Sequence, residues 1–289
     1  MHNYLKSIGF RDIDQEDLKI LLTDVKAHPD YQNMTDDSGD VRMIEYRKEY
    51  AYNQGINISG SLDEIDGFVM DYYYPYLIGE LVSSQEDVEI VMNSDREAYQ
   101  GIIDDPKMGI DLVFYITDDL CLVRSDYQSG QFINHGGVRL SGLCEKGSVL
   151  LPLDESIRPV EDLETVTQRA NLMKAAKSGD HEAIETLSIQ DIDQYNEIGE
   201  RISKEDIFTI LSSYIMPKGI ESDKYTILGD ITECKKFMNE ITHQMVYRML
   251  IRVNSMMMTI CINEKDLTGE PEVGRRLKAI IWLQGRLNF

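Results

Sequence analysis

Three short blocks in the first half of the chain return, in the same order, in the second half. Tyr72-x-x-Pro75 is matched by Tyr214-x-x-Pro217, and Ile78-Gly79-Glu80-Leu81 by Leu228-Gly229-Asp230-Ile231. The third block, Asp105-Pro106-Lys107-Met108-Gly109-x-Asp111-Leu112, is matched by Glu270-Pro271-Glu272-Val273-Gly274-x-Arg276-Leu277. A duplication would fold this chain into two related lobes, near residues 40–125 and 203–289. The competing explanation is turn chemistry, since Pro ends strands and Gly opens turns in any β-rich chain.

Hydrophobic periodicity fills in the elements. Ile13, Leu18, Leu21, Leu22 and Val25 recur at helical spacing over residues 12–28, and Pro29 stops the helix. Residues 30–40 read as a polar loop. The period then falls to two. Ile44, Tyr46, Lys48, Tyr50 and Tyr52 share one face, Asn53-Gln54-Gly55 turns, and Ile56, Ile58, Gly60 and Leu62 alternate with polar residues. That is a β-hairpin, followed by a strand over 67–75. Leu112–Ile116 and Cys121–Val123 are strand-length apolar runs. Val138–Leu143 and Val149–Leu153 suggest a hairpin turning at Lys146-Gly147. Toward the end, Lys235–Gln244 reads as a helix, Ile207–Met216 is ambiguous between helix and strand, and Val246–Val253, Met257–Ile262 and Leu277–Leu283 read as strands.

The centre has helical signals. Pro159 suits a first turn, with Glu161, Asp162 and Glu164 at the positive helix start. Val160, Leu163, Val166, Ala170, Met173 and Ala176 form a stripe, Gly179 a C-terminal stop and Asp180 a new cap. Ser188-x-x-Asp191 and Ser203-x-x-Asp206 resemble capping boxes. The expected class is α+β: mostly antiparallel sheets in two lobes that a duplication would relate, around a central helical segment. The boundaries are 1–155 for an N-terminal lobe, 156–202 for the helical segment and 203–289 for a C-terminal lobe.

With 289 residues, 42% of them hydrophobic, and a mean hydropathy of −0.32, the chain has ample material for a core. The net charge of −22 sets it against nucleic acid and anionic membrane surfaces, which are held by Lys and Arg. The acid is concentrated before Glu233, and the remainder is slightly basic. No apolar run reaches membrane-spanning length, and the opening residues lack the pattern of a secretory signal. Cys121, Cys144, Cys234 and Cys261 are too widely spaced for a zinc ribbon or disulfide scaffold, so reduced thiols in a cytoplasmic protein are expected.

Motifs of known chemistry are few. The loop Asn134-His135-Gly136-Gly137 is the most site-like: histidine titrates near neutrality, and paired glycines let a backbone approach a ligand. The bland reading is a glycine turn carrying an exposed histidine. His-Gly-Gly also occurs in lipase oxyanion loops, but no G-x-S-x-G elbow accompanies it. The histidines show no H-x-x-x-H spacing, and neither dinucleotide nor P-loop glycine patterns occur. Residues 34–45 half-match a calcium loop through Asp36, Ser38, Gly39 and Glu45, with Met34 where a carboxylate is needed. Asp104-Asp105, Asp118-Asp119 and Asp191-x-Asp193 read as turns and caps. Tyr72 and Tyr214, from the repeated blocks, are weak binding candidates, and Met256-Met257-Met258 would alternate faces in a strand. No metal or cofactor is expected.

The opening Met1–Phe10 and the stretch Gly219–Gly229 resemble an uncharacterised clostridial family, the domain-of-unknown-function family numbered 3881. That resemblance spans nearly the whole chain. It implies a cytoplasmic protein of anaerobic Gram-positive bacteria with no established activity, and it carries no catalytic residues.

Three functions stay open. The chain is expected to be a binding or regulatory module with a protein partner, a small ligand or a second copy of itself. One alternative is an enzyme whose site gathers distant carboxylates around His135 between the lobes. The other is an acidic decoy for a basic partner. His135 converging with two acids in a pocket points to the enzyme, and His135 alone on an exposed turn points to the module.

Overall fold

In the computed structural model, described for residues 2–34, 42–63, 67–93, 98–117, 133–152, 168, 171–176, 178–188, 211–219 and 223–288, strands dominate. A 3-10 helix, Asn3–Ile8, precedes α1, Gln15–Ala27. Asp14 caps α1 by accepting the Glu16 and Asp17 amides, and Leu18, Leu21, Leu22 and Val25 form its buried stripe. Next come β1 (Tyr31–Met34), β2 (Arg42–Ala51), β3 (Gln54–Asp63) and β4 (Gly67–Leu77), an antiparallel four-stranded sheet in that order. Tyr31–Met34, expected within a polar loop, pairs instead with Ile44–Arg47.

The remaining strands form an eleven-stranded sheet. They are β5 (Val88–Asn93), β6 (Ala98–Ile103), β7 (Leu112–Ile116), β8 (Ile133–Asn134), β9 (Val138–Leu150), β10 (Tyr214–Pro217), β11 (Lys224–Met238), β12 (Met245–Val253), β13 (Met256–Asn263), β14 (Leu267–Thr268) and β15 (Arg276–Leu287). Their order is β10-β11-β12-β13-β9-β15-β7-β6-β5-β8, with β14 beside β9. β11 also pairs with β15, so β11, β12, β13, β9 and β15 close into a five-stranded barrel. All its seams are antiparallel except β13–β9. Asp230 marks the hand-over, facing Arg252 on one side and Arg276 on the other.

Alternation explains the barrel. Met256, Met258, Ile260 and Ile262 of β13 face inward with Leu277, Ala279, Ile281 and Leu283 of β15, all buried. Each large one contributes about 1.5–3 kcal/mol by leaving water. The interior is full: a Cβ on Gly142 would lie 2.8 Å from Ile260 Cδ1 and 3.0 Å from that of Ile281. The same crowding corrects the hairpin expected at Lys146-Gly147. Gly147 is needed because Ile262, Leu277 and Leu267 press on it, and Val138–Leu150 is one strand with a bulge opposite Ile280/Ile281. The helix expected over Lys235–Gln244 is likewise the end of β11 and its turn. Lys235 and Lys236 face Arg248 and Tyr247 across the ladder, and no helical stripe forms.

Polar side chains on the barrel's outer surface fasten the four-stranded sheet. Gln284 acts as a substitute strand: its Oε1 accepts the Leu77 amide at 3.0 Å and its Nε2 donates to the Pro75 carbonyl at 2.8 Å. Its cross-strand neighbour Ser141 donates to the Leu77 carbonyl at 2.7 Å. The carbonyls of Lys6, Ser7, Ile8 and Gly9 accept in turn from Asn263, Cys261, Asn239 and Thr242, which seats the N-terminal helix on the barrel.

The repeated blocks diverge. Tyr72–Pro75 and Tyr214–Pro217 both lie in strands at an end of a sheet's order, where proline's missing N–H is tolerated. Gly109 and Gly274 both adopt positive φ (72° and 89°) in loops before β7 and β15. Ile78–Leu81 lies outside the strands, however, whereas Leu228–Ile231 lies inside β11. The two stretches do not share a strand order, and the large sheet draws on both sides of the 155–203 interval. Within that interval, 171–176 and 181–188 are helical. Gly179 sits at φ 90°, and the Asp180 carboxylate accepts the Glu182 and Ala183 amides. Ser188, expected to open a capping box, ends the 181–188 helix instead, its hydroxyl donating to the Ile184 carbonyl at 2.7 Å, while Asp191, the second capping box, Cys121–Val123 and most of the calcium-like loop lie outside the described residues.

Candidate functional site

The Asn134–Gly137 loop is consumed by packing. Asn134 is buried, and its Oδ1 accepts the Gly136 amide at 2.6 Å. A Cβ on Gly136 would overlap the Asn288 carbonyl. Gly137, at φ 77°, would collide with the carbonyl of Ser84. Both glycines are therefore required by three backbones meeting. His135 is left on the outside, 74% exposed, with Nδ1 3.0 Å from Oδ1 of the exposed Asp87. Nearby Asp105 is buried and already bound, accepting from Ser84 Oγ at 2.7 Å and the Lys107 amide at 3.0 Å. Among the described residues, His135 thus meets one exposed acid rather than two in a pocket.

The two tyrosines lie elsewhere. Tyr72, on β4, stacks on Tyr74 with centroids 6.3 Å apart. Tyr214, on β10, is half-buried, and burial pushes its hydroxyl pKa up. β10 and β8, which carries Asn134, stand at opposite ends of the large sheet. The structure does not assemble these six candidates into one site.

Several other reactive groups among the described residues are occupied. Cys144 and Cys261 are fully buried, and burial holds both thiols protonated, that of Cys261 pushed up to about 12. The single Cys261 S–H is shared between Gln54 Oε1 at 2.8 Å and the Ser7 carbonyl at 3.1 Å. Glu45, a calcium-loop candidate, is buried on β2, 3.7 Å from Arg47 and accepting from Ser59 Oγ at 3.1 Å. Arg47 also donates to Asn57 and to the Thr117 carbonyl, so this buried network joins the two sheets. Met256 and Met258 lie in the barrel interior. A cavity of about 510 Å³ lies between 171–176 and 181–188, lined by Leu172, Ala175, Ala183, Asn171 and Thr186, without a histidine or cysteine.

The surface least explained by packing lies where the β2–β3 turn meets the β11–β12 turn. The Glu240 amide donates to the Tyr50 carbonyl at 2.9 Å, joining the two. The Tyr52 ring stacks on Phe237 at 5.9 Å with planes 20° apart. The Arg248 guanidinium lies 5.0 Å from the same ring. Arg248 is itself buried, donating to the Tyr52 and Ile78 carbonyls at 3.0 Å each and pairing with Glu80 at 3.1 Å. Burial depresses its pKa, and the Glu80 charge opposes that shift. The result is a rigidly held aromatic ring that is still 55% exposed, with Ile241 exposed in the adjoining turn. Carboxylates lie beside it. Asp30 accepts the Glu49 amide at 2.8 Å, and Glu49 accepts that of Asn53 at 3.3 Å. Burial raises the Glu49 pKa, the Asn53 bond and the Arg248 charge oppose this, and the charges of Asp30 and Glu240 add to the rise.

The sequence pattern of the family described as "Domain of unknown function, E. rectale Gene description (DUF3881)" matches residues 5–285. The chain belongs to the DUF3881 family. The match takes in both sheets, the closed barrel and the Tyr52–Phe237 corner of this DUF3881 protein. No curated protein and no solved structure matches it. Sequence reasoning missed Phe237, Met238 and Ile241 because it placed them on a helix. Lys235, Lys236 and Phe237 do not alternate, so no strand signal marked them in the sequence.

Proposed function

We propose that this DUF3881 chain is a binding or regulatory module acting through protein contact, with the Tyr52–Phe237 corner as its docking face. One observation carries the reading: an exposed aromatic ring is immobilised in advance by stacking on Phe237 and by a buried arginine. Interfaces favour such anchors, because a ring already held in place loses little freedom on binding. Exposed Ile241 of the adjoining turn adds apolar surface, and an apolar surface edged with charge is a common mark of protein contact. The outward position of His135 supports the module over the enzyme. The buried, protonated thiols fit a reducing, cytoplasmic setting.

The test is retention of a discrete partner from a lysate of the source organism by the immobilised chain, against a Tyr52→Ala/Ile241→Asp variant of unchanged circular dichroism. Loss of that partner from the variant is expected. If the partner is a second copy, light scattering shows the variant losing the dimer. An unchanged set of retained proteins, with an unchanged oligomeric state, removes the reading.

A further inference from the structure

The docking face carries information about what it docks. Asp30, Glu49 and Glu240 come from the loop after α1, from β2 and from the β11–β12 turn, and each raises or shares the negative potential at the corner. Asp24 at the end of α1 is balanced by Lys48 at 2.7 Å, and Arg248 is turned inward to Glu80 and two carbonyls. Lys48 is spent on Asp24, and the Arg248 charge, which also acts on Glu49, is shared with Glu80, so the corner stays net negative. A second observation points the same way. Tyr50 is 1% exposed, its hydroxyl has no hydrogen-bond partner among the described residues, and the charges that act on it are Asp24 and Asp30. A buried hydroxyl without a partner is rare in folded proteins, and this one, on a ring packed in the core against Phe10, feels the Asp30 charge.

A metal ion does not fit. Among the described residues no group of three or more acids, histidines or cysteines is placed to hold one. An anionic partner is opposed by the corner and by the chain's net charge of −22, which steers cations inward. What remains is a cationic side chain carried on an apolar segment.

Resting on the module reading, we propose that the corner docks a segment of a partner protein in which a lysine or arginine is flanked by apolar residues. The cationic head lies among Asp30, Glu49 and Glu240, and its apolar neighbours lie on Tyr52 and Phe237.

The experiment uses the full chain and a short fluorescein-labelled peptide of lysine and leucine, read by anisotropy. Glu49→Gln/Glu240→Gln is compared with Glu182→Gln/Glu185→Gln, a distant pair that removes the same charge. The first pair is expected to weaken binding about tenfold, as for two partly screened ion pairs, and the second less than about twofold. A peptide with serine for leucine is expected to bind more weakly than the parent. Equal losses from the two pairs, or undiminished binding of the serine peptide, overturn the proposal, because bulk charge then accounts for the attraction. If a partner is still lost from Tyr52→Ala/Ile241→Asp, such a result leaves the module and removes only the cationic class.

Discussion

The Asn134–Gly137 loop and the Tyr52–Phe237 corner invert what their residues suggest. The loop holds the types associated with chemistry, a histidine and two glycines, yet its glycines are spent on backbone crowding against Asn288 and Ser84. The corner holds unremarkable types, yet its tyrosine is fixed from behind and left facing water. Residue type shows what a position can do. Only the list of contacts already made shows what it is still free to do.

The comparison breaks most decisively at Arg248. Arg248→Ala leaves the Tyr52 and Ile78 carbonyls and the Glu80 carboxylate without their shared donor in a buried place. Two carbonyls that lose their donor, and a part-exposed carboxylate that loses its partner, cost about 2–4 kcal/mol together. Denaturant unfolding should show a loss of that size. A loss below about 1 kcal/mol would mean that Tyr52 is not held by this arginine.

Within the loop, the two kinds of residue should separate. Gly136→Ala places a methyl group on the Asn288 carbonyl and is expected to cost about 2–4 kcal/mol. His135→Ala, at an exposed position, should stay within about 0.5 kcal/mol. Thermal unfolding of both variants checks the contrast. A large effect at His135 would restore it as a residue with work to do.

Much of the fold was legible because local periodicity was honest. α1 shows its stripe, and β2 and β3 alternate around Asn53, which takes the positive φ of a turn. β12, β13 and β15 also announce themselves. What was hidden depends on distant partners. Nothing in Val138–Leu150 says that Gly147 serves a crowded interior and not a turn, since Ile262 and Leu277 lie far along the chain. The parallel β13–β9 seam that closes the barrel has no local signature. β5 and β6 were missed for lack of a strong alternation. The candidate corner was illegible for the same reason as the barrel: it exists only where two remote turns are joined by one hydrogen bond from Glu240 to Tyr50.

The smallest effect separates the two regions by charge. Burial raises the Glu49 carboxyl pKa, helped by the charges of Asp30 and Glu240. A carboxyl raised in the folded state ionises less readily there than in the unfolded chain, so its ionisation opposes folding. That penalty is absent below about pH 4, where both states are protonated, and is complete once the pH has risen past the folded value. Glu49→Gln keeps an oxygen to accept the Asn53 amide and removes the charge. The variant should therefore melt slightly above the parent at pH 7, with the gap closing as the solution is acidified. Adding the lysine–leucine peptide should raise the parent's melting temperature and narrow the same gap, since a bound cation relieves the repulsion that the substitution abolishes. A variant that melts below the parent at neutral pH would show that Glu49 is already compensated within the fold, and the corner would then be as fully spent as the loop.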